Sequence, residues 1–246
     1  MADTKETTTT VIGPENNEAL VKARSFWDKY SKPIIYAGSA VILVIAGWLG
    51  YQNFIKIPKE KEANAQIFPA EAIFDKMATT EFNKDSVNIA LNGGSVEGRK
   101  VTGLLKLISK YDGTPAANRA KYMVGASYLQ LKEFDKAIKY LKDFDGNGAG
   151  QVESAAYLML GHAYSEQKKT EDALSYYKKA ADVNARDESL SPNALLIAAS
   201  YANEIGKSKD AIELYRKLKD KYPTSASVTN GEVDKQLAKL GEMNNQ

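Results

Sequence analysis

The chain holds one histidine, His162, and no cysteine. Without thiols there is no disulfide framework, thiolate zinc site, cysteine nucleophile or lipid-modified N-terminal Cys. His162 would need an oriented partner to act as a general base. No Ser-bearing elbow motif lies near it, and the surrounding Asp and Glu occur at ordinary helical density. It is therefore expected to make a polar contact rather than to move protons. A second stretch imitates metal chemistry: Asp143-Phe-Asp145-Gly-Asn147-Gly148 follows the first half of a calcium-binding EF loop. The twelfth position, where a bidentate Glu closes the coordination shell, is Ser154, with Glu153 one place early. A flexible connection between helices is the expectation there. Gly146, Gly148 and Gly150 follow no strand and precede no Lys-Ser/Thr pair, so they do not form a phosphate cradle. No catalytic, cofactor-binding or metal-ligating residue is assigned, no cofactor is expected, and the chain is read as a non-enzyme. Lys and Arg number 33 against 31 Asp and Glu, a net +2 that gives no basic excess for nucleic acid.

The elements that carry these residues read as helices. Pro and Gly number only 7 and 17 in 246 residues, and no strand-like alternation follows the first sixty. Residues 120–141, 156–177 and 194–215 align with one another. In each, a small residue (Gly125, Gly161, Ala199) precedes an alanine (Ala137, Ala173, Ala211) by twelve positions, and Leu141, Tyr177 and Tyr215 come four later. Small residues at that spacing let two antiparallel helices approach until a bulky side chain of one meets the backbone of the other. Tyr128 and Tyr164 are expected to fill the gap between helices, and Ala202 to leave the third pair looser. Thr170 and Ser191 are candidate helix caps, and Tyr222-Pro223 a helix end. These spacings resemble the tetratricopeptide repeat, whose unit is about 34 residues; here the steps are 36 and 38. The expected fold class is all-α, a single N-terminal transmembrane helix followed by a tetratricopeptide-like α-solenoid. Three repeats cover 113–225, a degenerate helical unit with helices near 59–77 and 100–111 covers 57–112, and a capping helix near 232–240 with a tail covers 226–246.

Placed on that repeat frame, Arg119, Tyr122 and Leu129 face an inner groove from the first repeat. Leu158, His162 and Glu166 do so from the second, and Leu196 and Asn203 from the third. Ala126, Gln130, Ser165, Ser200 and Glu204 flank them. The mixture of aromatic, aliphatic and polar side chains suits an extended peptide or a partner helix; the alternative is a surface that stays wet or packs on the first unit. Tetratricopeptide domains that clamp a C-terminal carboxylate carry Lys and Asn where Tyr122 and Ala126 stand, so chaperone tails are not the expected ligand.

Residues 33–55 contain no charge. As a helix this run rises about 34 Å, enough for a hydrocarbon core of roughly 30 Å. Tyr36 lies near one end, and Trp48 and Tyr51 near the other, as interfacial rings do. Residues 33–56 are accordingly expected to cross a lipid bilayer as an uncleaved anchor. Residues 1–17 are expected to form a disordered cytoplasmic tail, and 18–32 a juxtamembrane amphipathic helix or a continuation of the anchor, with a break or kink at Pro33. Four cations before the run (Lys22, Arg24, Lys29, Lys32) against three after it (Lys56, Lys59, Lys61) favour a cytoplasmic N-terminus by a small margin.

This arrangement, together with Leu91-Asn-Gly-Gly, Tyr111-Asp-Gly-Thr and Ala120-Lys-Tyr-Met-Val-Gly-Ala-Ser-Tyr-Leu, resembles the YfgM family of bacterial inner-membrane proteins. The resemblance covers most of the chain. It implies a single-pass protein with its C-terminal domain in the periplasm, associated with the Sec translocon (SecYEG) and a PpiD-like chaperone near translocating polypeptides. Two other readings stay open: a scaffold of another envelope-assembly or secretion complex, and a cytosol-facing tetratricopeptide receptor.

Overall fold

The computed structural model describes residues 14–79, 83–96 and 98–242. It divides into two compact units, residues 1–58 and 59–246. In the first, α1 (Pro14–Tyr51) is one continuous helix with Pro33 inside it, followed by a π-helical turn, Gln52–Lys56. The helix is not interrupted at Pro33. Proline deletes one intrahelical hydrogen bond, and the helix-forming residues on either side carry the helix through. Residues 14–17, expected in the disordered tail, are helical; the rest of that tail, 1–13, lies outside the described residues. Ile42, Leu43 and Val44 are exposed, as are Ile34, Trp48 and Phe54, and α1 contains a window long and apolar enough to cross a membrane.

The second unit opens with α2 (Ile57–Thr79) from Lys59 onward, with Pro69 inside the helix. Its inward stripe is Ala63, Ile67 and Ala70, at helical spacing and fully buried. Then come α3 (Lys84–Asn92), β1 (Gly93–Val96), β2 (Arg99–Thr102) and α4 (Leu104–Lys110). The two strands form an antiparallel hairpin, pairing Gly93 with Thr102 and Val96 with Arg99. This corrects the all-helical expectation for the region: residues 100–102 are strand, and the helix starts at Leu104. The cause is non-local. A Cβ on Gly103 would fall 2.3 Å from the Asn92 carbonyl carbon, and Gly93 has φ +89°. Only glycines let the helix end and the returning strand touch so closely.

Three helix pairs follow: α5 (Pro115–Gln130) with α6 (Phe134–Lys142), α7 (Gly150–Glu166) with α8 (Thr170–Asp182), and α9 (Leu190–Glu204) with α10 (Ser208–Lys221). Each turn within a pair is the same Schellman closure. Lys132, Lys168 and Gly206 are left-handed, and the next residues, Glu133, Lys169 and Lys207, donate their N–H groups to the carbonyls of Tyr128, Tyr164 and Ala202.

Close helix approach follows the small residues. A Cβ on Gly125 would sit 2.5 Å from Leu141 Cγ, and one on Gly161 2.4 Å from Tyr177 Cε1. Ala137, Ala173, Ala199 and Ala211 have no exposed surface. Tyr128 stacks on Tyr140 and Tyr164 on Tyr176, with centroids 5.8 and 5.3 Å apart. At the corresponding places in the third pair, Ala202 and Leu214 are both buried, so the smaller pair leaves no exposed gap. The expected caps are corrected. Thr170 is the first residue of α8 and makes no capping bond, and Ser191 donates its hydroxyl to the Asn184 carbonyl at 2.7 Å. The Asp187 carboxylate instead accepts the N–H groups of Ser189 and Leu190, which holds its pKa below the usual carboxylate range. Helices α11 (Ala226–Thr229) and α12 (Glu232–Lys239) follow Pro223.

Candidate functional site

The first helix of each pair (α5, α7, α9) carries the eight expected groove residues, and α7 touches both of the others. Arg119 and Tyr122 line a cleft of about 500 Å³ between α2, the start of α5 and the loop before α7. None of the other six lines it. Tyr122 meets the Phe144 ring at 5.4 Å, and burial raises its phenol pKa. Arg119, expected to meet a ligand, is already held within the fold. Its Nε donates to Glu71 at 3.0 Å and its Nη2 to Asn64 at 2.7 Å, both from α2. The loop wall is shaped by Asn118, whose amide donates to the Asp145 carbonyl at 2.7 Å and accepts the Asp145 N–H at 2.9 Å. The Asp145 carboxylate in turn accepts the Asn147 N–H at 2.9 Å, with Asn147 left-handed. The carboxylate that imitated a calcium ligand thus closes an Asx turn, and the connection expected to be flexible is fastened at two points.

A second cluster forms along α7 and α9. His162 is exposed as a residue, yet its Nδ1 lies 3.0 Å from Tyr177 Oη, with the two rings edge to face at 5.4 Å. Partial burial lowers the imidazole pKa, opposed by Glu166 one turn away. Burial pushes the Tyr177 phenol far up, and the neighbouring Tyr201, Glu204 and Glu166 push in the same direction. No general-base geometry results: His162 holds a buried tyrosine in place. Leu129, Leu158 and Leu196 are half-buried and pack against the core; Glu166 and Asn203 are exposed. Ala126, read as a groove residue, is buried.

Phe74, Asp75, Phe144 and Val152 also line the cleft and were not singled out from sequence. Phe74 and Asp75 belong to a helix some fifty residues before Tyr122, and no local pattern announces that meeting. Phe144, an aromatic beside a glycine-rich loop, was the one available signal.

Antiparallel helix pairs stacked side by side, joined by identical turns and closed by small residues, define a helical-repeat protein-binding module. Comparison with known proteins agrees. Residues 158–226 match one family profile described as Tetratricopeptide repeat, and residues 119–144 match another of the same description. A TPR repeat-containing protein of Methanocaldococcus jannaschii is 30% identical over 97 residues, covering 38% of this chain and 30% of that protein. The chain therefore spans less than a third of that relative's length. It carries tetratricopeptide repeats, and protein–protein interaction is the activity they indicate.

Proposed function

We propose that the protein is a membrane-anchored tetratricopeptide module that serves as an ancillary subunit of the Sec translocon, working with a PpiD-like chaperone on translocating polypeptides. The observation that carries the reading is the coexistence, in one chain, of the exposed uncharged run 33–55 and three tetratricopeptide-type helix pairs. The translocon and the chaperone come from the resemblance to the YfgM family. In this reading residues 33–56 contact lipid, the N-terminus is cytoplasmic, and the domain after residue 58 lies in the bacterial periplasm. Arg119, Tyr122, Leu129, Leu158, His162, Glu166, Leu196 and Asn203 border the face that meets polypeptide; Arg119 contributes by fixing α2 rather than by a free charge. Tethering raises the effective concentration of that face near the exit of the channel, so individual contacts are weak.

The test is photo-crosslinking from position 158 in intact cells, followed by purification in mild detergent and mass spectrometry. Recovery of SecYEG, the chaperone and nascent secreted chains is the expected result, and deletion of residues 1–56 should abolish most of it. Crosslinks confined to another envelope complex, or undiminished recovery with the anchorless chain, would refute the assignment. A reporter fused after Gln246 and active only on one side of the membrane checks the orientation.

A further inference from the structure

The cleft of α2, α5 and the 143–149 loop differs chemically from the stacked tyrosines inside the first two helix pairs. Within those pairs, the stacked tyrosines carry the protein's own cations. Lys136 lies 5.0 Å from the Tyr128 centroid, Lys139 5.4 Å from Tyr140, Lys142 5.4 Å from Tyr164 and Lys179 4.7 Å from Tyr176. Tyr122 and Phe144 have no such lysine among the described residues. Their cleft presents carboxylates instead. Of its charged lining, Glu71 and Arg119 neutralise each other at 3.0 Å, which leaves Asp75 and Asp145 without a cationic partner among the described residues. Within the described residues of that loop the Asp145 carboxylate accepts a backbone N–H, that of Asn147. Val152 is exposed at the rim, so the apolar floor of Phe74, Tyr122, Met123 and Phe144 continues to the surface.

We propose that this cleft binds an extended polypeptide segment in which an aromatic or large aliphatic side chain is followed closely by Lys or Arg. The apolar side chain seats on the floor of Phe74, Tyr122, Met123 and Phe144, where about 500 Å³ is ample for one ring. The cation lies over these uncovered rings and is drawn by Asp75 and Asp145. Charge complementarity selects this occupant: an acidic segment would place carboxylates against two carboxylates. The inference rests on the polypeptide-binding reading above and adds what the site selects.

The test uses the full chain in detergent micelles and fluorescently labelled nonapeptides with a central Phe-Lys, Phe-Glu or Ala-Lys, read by anisotropy at low and physiological salt. Phe-Lys should bind about tenfold more tightly than either of the others, the range expected from two solvated charge contacts plus one seated ring, with the charge part weakening as salt rises. Asp75→Asn with Asp145→Asn keeps the turn, since Asn accepts the same N–H, and should bring Phe-Lys and Phe-Glu within about twofold. Phe144→Ala should weaken Phe-Lys, while Lys209→Ala, on exposed α10 surface outside both the cleft and the groove face, should leave the preference intact. Equal binding of Phe-Lys and Phe-Glu by the unaltered protein, or a preference that survives the double substitution, overturns the proposal while leaving polypeptide binding itself standing. No binding of any peptide, with partner crosslinking from position 158 retained, overturns it as well.

Discussion

Tyr177 Oη and His162 Nδ1 lie 3.0 Å apart, and the same relationship recurs one repeat later between Tyr215 and Ser200, at 3.2 Å. In the first repeat the corresponding residues are Leu141 and Ala126, neither of which has a polar side-chain atom. A tyrosine seated on the small residue of the facing helix carries its hydroxyl inward, and a hydroxyl placed there requires a partner. A leucine requires none. His162→Ala should therefore destabilise the protein by about 1 kcal/mol. His162→Ser should recover part of that, as Ser200 does for Tyr215. Thermal unfolding of the three proteins in one detergent measures both effects.

The same contact predicts a pH dependence. Burial lowers the folded-state pKa of His162 below its ordinary value, with Glu166 working against the shift. In the pH range between the folded and unfolded pKa values the unfolded chain holds more protons. The contribution is therefore fully present above about pH 6.5 and is lost as pH falls below it toward the folded pKa. Since His162 is the chain's one histidine, a single imidazole titration followed by NMR reports it directly. A midpoint at or above 6.5 would contradict the partial burial of its ring against Tyr177.

Gly161 and Gly125 test the close helix approach. An added methyl would collide with Tyr177 or Leu141 at 2.4–2.5 Å, so Gly161→Ala and Gly125→Ala should each cost roughly 1–3 kcal/mol. Ala199 already carries that methyl in the third repeat, and Ala199→Gly should destabilise by about 0.5–1 kcal/mol through helix propensity. Denaturant midpoints decide between this order and equal effects.

Lys132 and Lys168 adopt the left-handed conformation that Gly206 adopts in the third turn. A side chain costs about 1–2 kcal/mol there, partly offset because glycine loses more entropy on folding. Lys132→Gly and Lys168→Gly should each stabilise the protein by about 0.5–1 kcal/mol, seen as a raised unfolding midpoint.

Val44 lies at the centre of the uncharged run and is exposed. Val44→Lys should oppose insertion by about 2.5–3.5 kcal/mol, and pairing it with Leu43→Lys should shift the chain from the membrane fraction to the soluble or aggregated fraction. Undiminished membrane recovery of the double variant would argue against residues 33–56 as the anchor.

The amino-acid order alone determined the features whose causes are local. An uncharged run of given length, helices of period 3.6, and the spacing of Gly161, Ala173 and Tyr177 are all written within about forty residues, and they name a helical repeat behind an apolar segment. Tertiary structure decided what depends on meetings between distant segments. The β1–β2 hairpin exists because Gly103 passes against the Asn92 backbone. Arg119 is consumed by Glu71 and Asn64 of a helix some fifty residues earlier, and Asp145 closes a turn clamped by Asn118. The cleft exists because α2 brings Phe74 and Asp75 to Tyr122 and Phe144. Side-chain periodicity states which face of a helix is buried, but not which neighbour buries it or which charges are neutralised there; that depends on packing in three dimensions.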